Sequence, residues 1–246
     1  MKPAVSVLAL LLIFAVNGNA VARSKDMKMP DQPIKLYYLP PSPPCRAVMM
    51  TARVLNLELD LVLTNIMEGE HKTPEFLKMN PQHTIPTMDD NGFILWESRA
   101  IMAYFVNAYG RDDSLYPEDP KQRALVDQRL NFDLGTLFLR YMKLYGPILF
   151  HGKAYNEDKA KMLDEALGWL NSMLEGRAFV AGDNLTIADI TIVVTMSNLD
   201  AFGYNFSAHE NVKNWYERTK TELEPYGYED INENGANILA SFLKKD

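Results

Sequence analysis

Apolar positions in residues 34–110 follow strand-like and helix-like spacings in turn. The apolar and aromatic run at 34–39 predicts a short buried strand, and residues 44–57 predict the helix that follows it. Leucine at every second position of residues 59–63 predicts a second strand, and residues 73–79 predict a short helix. This part of the chain therefore begins with strand, helix, strand and helix.

Two further strands and a third helix complete the pattern. Residues 87–88 and 93–96 flank Asp90, Asn91 and Gly92, a sequence typical of the turn in a β-hairpin. Residues 99–109 predict a helix, and Gly110 follows it at a position where glycine often ends helices. The order βαβ, helix, ββα predicts an α/β unit with a mixed sheet.

The second half of the chain carries only helical periodicity. It follows a linker at residues 111–122 that contains Pro117 and Pro120. The helical segments are 123–145, 157–175, 186–200, 209–219 and 231–244. Thr186 and Asp189 fit a capping box at the start of the third segment. We therefore predict an α/β domain at 34–110 and an all-helical domain at 123–246.

Residues 1–22 have the pattern of a secretory signal peptide. Lys2 precedes an apolar run at 4–16, and small residues at 18–22 fit a cleavage site. The run is too short for an ordinary membrane span. We expect a protein that is secreted or enters the secretory pathway, without stable membrane association once the segment is removed. The alternative is a cytoplasmic protein that keeps the segment.

Composition and charge narrow the classes of function. A formal net charge of -7, without a basic stripe or zinc-finger spacing, argues against nucleic acid as a partner. Cys45 is the only cysteine, so an internal disulfide is impossible and stability must come from the core. His71 and His83 lack a third residue at the spacing of metal ligands, so no metal is expected.

Ser42 and Cys45 have the spacing of a thioredoxin-type C-x-x-C motif in which a hydroxyl replaces the first thiol. Ser42 falls on a strand-to-helix turn, beside a helix N-terminus. A hydroxyl there is a poor nucleophile but a good hydrogen-bond donor to a thiolate. The pattern predicts an enzyme that activates the thiol of another molecule rather than its own cysteine.

Candidate ligand-binding residues lie in loops and at a helix start of the same unit. In a thioredoxin-like fold Pro86 follows a cis peptide bond, which exposes the Ile85 backbone to a peptide-like ligand. Glu97, Ser98 and Arg99 begin a helix whose free amides attract an anion, and Glu97 suits a ligand ammonium. An ordinary trans proline and a solvent-exposed helix cap are the alternatives. His71 and His83 each suit hydrogen bonding to a ligand carboxylate or to a ligand backbone.

The motifs jointly resemble those of insect delta-class glutathione S-transferases. The resemblance runs from about residue 34 to the C-terminus, and the motifs are at residues 37–40, 42–46, 69–71, 80–87, 95–101, 114–117 and 181–189. It implies a thioredoxin-like N-terminal domain, an all-helical C-terminal domain and a homodimer. Pro41 stands where the family usually has glycine before the serine, which makes the loop stiffer.

The resemblance also implies residue roles and an activity. The catalytic serine of the family maps onto Ser42. Its glutathione-binding positions match His71, His83, Ile85, Glu97, Ser98 and Arg99. We expect detoxification by conjugation of the glutathione thiolate to apolar electrophiles, with halide elimination or peroxide reduction as further reactions. Glutathione is then a co-substrate and no metal is needed.

Aromatic residues of the helical half are candidates to line the cleft for the second substrate. They are Phe138, Tyr141, Tyr145 and Phe206. Packing in the core is the alternative for the same side chains. Two other functions stay open at this point: a thiol transferase that uses Cys45 through a mixed disulfide, and a secreted protein that sequesters ligands on the same fold.

Overall fold

The computed structural model describes residues 29–243, so the predicted signal peptide at 1–22 lies outside the described residues. The strands are β1 (Ile34–Tyr38), β2 (Leu59–Leu63), β3 (Thr87–Asp90) and β4 (Phe93–Trp96). The helices are α1 (Pro43–Val54), α2 (Pro74–Met79), α3 (Ser98–Tyr109), α4 (Pro120–Phe132), α5 (Phe138–His151), α6 (Glu157–Met173), α7 (Ile187–Ala201), α8 (Glu210–Leu223) and α9 (Asn234–Ala240).

The four strands form one mixed sheet in the order β2-β1-β3-β4. The first two strands are parallel, and the pairs β1–β3 and β3–β4 are antiparallel. Ile34, Leu36 and Met88 point into the core and are fully buried. The thioredoxin-like α/β unit followed by a helical half, as predicted, is the observed fold.

The alternating leucines of β2 identify the strand but not a buried face. Leu61 and Leu63 are 41% and 60% exposed, whereas Leu59 and Val62 are half-buried. The strand is at the edge of the sheet, so its backbone pairs on one side only. Alternation of apolar residues predicts a strand, but whether another element covers its leucines depends on tertiary packing.

The first predicted helix of the helical half is longer than expected and is interrupted. Helix α4 begins at Pro120, inside the predicted linker, because Asp119 caps it by accepting hydrogen bonds from the Lys121 and Gln122 amides. A π-helical turn, Asp133–Leu137, joins α4 to α5. A second π-helical turn, Glu229–Glu233, precedes α9, so the last predicted helix is also shorter than a continuous 231–244.

The predicted capping box starts α7, the most buried helix of the fold. The Thr186 amide donates to Oδ2 of Asp189 at 2.9 Å. Asp189 also accepts from the Val180 amide at 2.8 Å and from Nε1 of Trp215 at 2.9 Å. One buried carboxylate therefore fixes the start of α7 against the preceding loop and α8.

Helix α1 lies where the two halves meet. It packs against α3 in the α/β half and against α7 in the helical half. Within residues 29–243, no helix is long and apolar enough to cross a membrane.

Candidate functional site

Ser42 is the N-cap residue of α1 and is partly exposed. Its amide donates to the Leu39 carbonyl at 3.0 Å, and its own carbonyl accepts from the Arg46 amide at 3.1 Å. Its hydroxyl caps no backbone amide of the helix, but it hydrogen-bonds to the thiol of Cys45 in the first turn. With Pro43 at the first helical position, the backbone is fixed and the hydroxyl lies beside the positive end of α1.

Cys45 lies in the first turn of α1 and is fully buried. Burial raises the pKa of its thiol to about 11, and contacts with the Ser42 side chain and the Leu39 backbone oppose this only in part. A thiol with this pKa is protonated at neutral pH and therefore a weak nucleophile. The geometry does not support a mixed disulfide at Cys45.

Glu97 and Ser98 stand at the N-terminus of α3. Glu97 is the N-cap residue with φ of 73° and is exposed, so its carboxylate is free of the helix and faces solvent. Few non-glycine residues adopt such a backbone, and strain of this kind is concentrated at functional sites. Ser98 is buried in the first turn of the helix, next to amides that lack intrahelical partners.

The loop before β3 carries Ile85 and His83. The Ile85–Pro86 peptide bond is cis, as predicted, and Pro86 is buried. Asn80 organises the loop, because its Nδ2 donates to the Thr84 carbonyl at 3.1 Å and to Oγ1 of Thr87 at 2.9 Å. Sequence reasoning missed Asn80, which is fully buried and whose only signal is its position before Pro81.

His71 and His83 lie side by side, with ring centroids 5.8 Å apart. Nδ1 of His71 is buried and has no hydrogen-bond partner. Burial lowers the pKa of His71, and the charges of Lys72 and His83 act in the same direction. The ring is therefore neutral at neutral pH and presents an unused polar atom. No group of residues in the described part of the chain could hold a metal ion.

Arg99 joins the two halves of the protein. Its guanidinium forms an ion pair with Asp133, in the π-helical turn between α4 and α5. Asp133 is fully buried and also accepts from Oγ1 of Thr195 in α7 at 3.1 Å. Burial raises the pKa of Asp133, and both partners oppose that rise. Neither Asp133 nor Thr195 was predicted from the sequence.

The predicted aromatic residues occupy different environments. Phe138 is partly exposed, and it shares a narrow crevice with Pro44, Ser98 and Arg99 at the junction of the halves. Tyr141 is fully buried, and Tyr145 is 5% exposed. Both tyrosines pack against Phe202, a contact that the sequence did not reveal.

The last aromatic candidate lies apart from the crevice. Phe206 packs edge-on against Tyr216, with centroids 5.7 Å apart. Beside Tyr145 there is a cavity of about 840 Å³, also lined by Tyr155, Phe202 and Tyr204. Of the four predicted aromatic residues, Phe138 is therefore the one that lies in the crevice next to Pro44, in the first turn after Ser42.

Comparison with known proteins agrees with this geometry. The family "Glutathione S-transferase, N-terminal domain" matches residues 36–114, and "Glutathione S-transferase, C-terminal domain" matches residues 100–221. Glutathione S-transferase D7 of Anopheles gambiae is 48% identical over 209 residues, which cover 85% of this chain and 96% of that protein.

Solved structures give the same result. The glutathione transferase BmGSTD1 of Bombyx mori is 74% identical, with a TM-score of 0.87 over 88% of this chain and 100% of that one. A delta-class glutathione transferase of Nilaparvata lugens is 49% identical, with a TM-score of 0.83 over 86% of this chain and 98% of that one.

Proposed function

The chain belongs to the insect delta class of the glutathione S-transferase family and is a glutathione S-transferase, and we propose that Ser42 activates its co-substrate, glutathione. The observation that carries the proposal is a partly exposed serine at the helix N-terminus whose hydroxyl caps none of the free amides there. The detoxifying activity uses glutathione without a metal.

The candidate ligand-binding residues of the α/β half suit a tripeptide with a carboxylate at each end. The amides of α3 and the Ser98 hydroxyl suit one carboxylate, and the exposed Glu97 suits the neighbouring ammonium. The neighbouring rings of His71 and His83 suit the other carboxylate. The Ile85 backbone, beside the cis bond to Pro86, suits the peptide part of the ligand.

The chemical contribution of Ser42 is a hydrogen bond to sulfur. Glutathione supplies the thiol, whose proton leaves to solvent as the thiolate forms. The Ser42 hydroxyl donates to that sulfur, and the N-terminus of α1 favours its negative charge. The nucleophilic sulfur then bonds to an electrophilic carbon and the leaving group departs with the electron pair.

The hydrogen bond from Ser42 should change the thiolate fraction of bound glutathione substantially. A free thiol with a pKa near 8.5 is only a few per cent thiolate at neutral pH. A decrease of about two pKa units corresponds to roughly 2.7 kcal/mol of preferential stabilisation of the thiolate. Most bound sulfur would then be in the reactive form.

The test compares conjugation rates against pH for the wild type and Ser42→Ala, using an aryl halide. We expect the variant to bind glutathione in a separate titration but to conjugate slowly at neutral pH, recovering as the pH approaches the free thiol pKa. Ser207→Ala, at an exposed loop serine, is the control and should match the wild type. An unchanged profile for Ser42→Ala would show that another group activates the thiol.

The second substrate is an apolar electrophile that binds beside Phe138. The crevice that this ring shares with Ser98 and Arg99 supports this placement. A panel of aryl halides, a halide that undergoes elimination and an organic peroxide tests the range of reactions. Phe138→Ala should raise the KM for aryl halides more than the KM for glutathione, and equal effects on both would contradict the placement.

The protein forms a homodimer in which the α/β half of one subunit contacts the helical half of the other. Exposed apolar side chains in each half support this, among them Phe93 at 49% and Leu134 at 46% exposure. Light scattering at micromolar concentration should give about twice the mass of the chain. An active monomer under these conditions would contradict the proposal.

Residues 1–22 direct the chain into the secretory pathway and are then removed. The apolar run at 4–16 and the small residues after it support export. Expression in insect cells should place the protein in the medium or in secretory compartments, with its N-terminus near Val21 or Arg23. A cytosolic protein that starts at Met1 would refute this.

A further inference from the structure

Arg46 is a fully buried charge one helical turn after Ser42. Its Nη1 donates to the carbonyl oxygen and to Oδ1 of Asn232, at 2.6 and 2.7 Å. Its Nη2 donates to Oδ1 of Asn198. These acceptors are uncharged, and within residues 29–243 no carboxylate forms an ion pair with this guanidinium. A buried cation held in this way ties α1 to α7 and to the π-helical turn before α9.

Gly235 places the start of α9 directly against the loop that carries Ser42. A Cβ atom at this position would overlap Cδ of Arg46 and would lie 2.6 Å from the Pro40 carbonyl oxygen. Real Cβ atoms do not approach backbone oxygen so closely, so a side chain here must displace the loop or the helix. The C-terminal segment, residues 229–240, therefore packs directly against the loop that carries Ser42.

We propose that this C-terminal segment positions Ser42, through the Arg46–Asn232 hydrogen bonds and the close approach of Gly235 to Pro40. The inference rests on the proposed role of Ser42 in thiol activation. Arg46 and Gly235 are positioning residues: they hold the backbone on both sides of Ser42 and do not touch the substrate. A small shift of that backbone lengthens the hydrogen bond to sulfur and so reduces the thiolate fraction.

The ionisable groups around Arg46 do not themselves titrate near neutral pH. The ionisable groups that act on the guanidinium are Tyr141 of α5, Tyr228 directly before the π-helical turn, Cys45 of α1 and Tyr216 of α8. Burial raises the pKa of each tyrosine above its ordinary value, and burial lowers the pKa of Arg46 only to about 10.

Other charged groups lie farther from Arg46 or in the proposed glutathione site. Tyr216 donates to Asp200, and Glu233 pairs with Lys220. The ionisable groups of the proposed glutathione site are His71, His83, Glu97 and Arg99, and Cys45 lies in the first turn of α1. Since the changes tested below alter none of these groups, a change in the pH profile would report the position of Ser42.

The decisive variant is Gly235→Ala, with Gly168→Ala as its matched control. Both glycines are in helices, but a Cβ at Gly168 meets only the His209 ring at 3.8 Å, an ordinary contact. For Gly235→Ala we expect the midpoint of the pH–rate profile to rise by about one unit, which lowers the rate at neutral pH about threefold, since most of the bound thiol is ionised in the wild type. The KM for glutathione should change by less than about threefold, because the ligand-binding groups are elsewhere. Gly168→Ala should match the wild type.

Asn232→Ala is the second variant, for the case in which Gly235→Ala does not fold. It removes one acceptor of Arg46 without adding an atom, and we expect a smaller rise of the same midpoint. If folded Gly235→Ala or Asn232→Ala loses only thermal stability and keeps the wild-type midpoint, the segment does not position Ser42.

The Ser42→Ala background separates this inference from the proposed function. If Ser42 acts on the thiol, Ser42→Ala alone raises the midpoint and adding Gly235→Ala raises it no further. If Ser42→Ala leaves the midpoint unchanged, the proposed function fails. If Ser42→Ala raises the midpoint and Gly235→Ala alone does not, only the positioning inference fails. An additive effect of the two changes would also overturn it.

Discussion

Replacing Asp189 by alanine should destabilise the protein more than the loss of any exposed helix cap. The carboxylate is fully buried and accepts from the Val180 amide, the Thr186 amide and Nε1 of Trp215, at 2.8 to 2.9 Å. Asp189→Ala leaves all three donors without their acceptor. The Thr186 hydroxyl, which also donates to Asp189, can rotate to another partner.

The expected cost follows from these donors. A buried donor without a partner costs about 1–3 kcal/mol, so three give at least about 3 kcal/mol. Removing the carboxylate also removes the cost of burying it, which is the reason that burial raises the pKa of Asp189. We therefore take the low end, about 3 kcal/mol, which corresponds to a decrease in Tm of about 6–12 °C for a chain of this size.

The assay is urea denaturation followed by tryptophan fluorescence, together with a thermal melt. Asp119→Ala is the matched control, since Asp119 also caps a helix through two amide hydrogen bonds but is exposed. That control should cost about 1 kcal/mol. A loss below 1 kcal/mol for Asp189→Ala, or equal losses for the two variants, would refute the reasoning that the buried donors dominate.

Two further predictions concern the thiol and the histidine of the site. Because burial raises the pKa of Cys45 to about 11, native protein at pH 7 should resist alkylation while unfolded protein reacts, and Cys45→Ala should keep its conjugation rate within about twofold. Rapid labelling with loss of activity would restore the thiol-transferase hypothesis. The pKa of His71 is lowered by burial, so folding favours the neutral ring. This contribution to stability is fully present above the ordinary histidine pKa, and it is lost as the pH falls through the lowered pKa. His71→Gln should therefore keep the KM for glutathione within about threefold at neutral pH, whereas His71→Ala should raise it about tenfold; equal KM values for both variants would mean that His71 does not contact the ligand.

Several features of the site are local in sequence and could be predicted from it. Ser42 lies at a helix start because a strand ends before it and prolines follow it, and the capping box of Asp189 lies within four residues. The β-hairpin around Gly92 has the same local origin. Backbone conformation at such points depends on neighbouring residues, so the printed sequence contains the necessary information.

The remaining contacts join residues that are far apart in the chain. Arg99 meets Asp133, and Arg46 meets Asn232, 186 positions later. Periodicity indicates that α1 and α7 each have apolar faces, but it does not say which helices face each other or at what depth. A buried polar side chain needs a hydrogen-bond partner to offset the cost of removing it from water. Only the packed structure shows which distant residue supplies that partner.

The exposure of the β2 leucines and the contacts made by the π-helical turns also depend on residues far away in the chain. A leucine is buried only if another element covers it, and Leu63 lies on an edge strand that the described residues leave uncovered. Asp133, in the π-helical turn between α4 and α5, contacts Arg99 of α3 and Thr195 of α7, which are far from it in the chain. The sequence alone determined the type and order of the elements and the place of Ser42 at the start of a helix. Tertiary packing decided which distant side chains contact that helix, because those contacts depend on distances in space that local sequence does not encode.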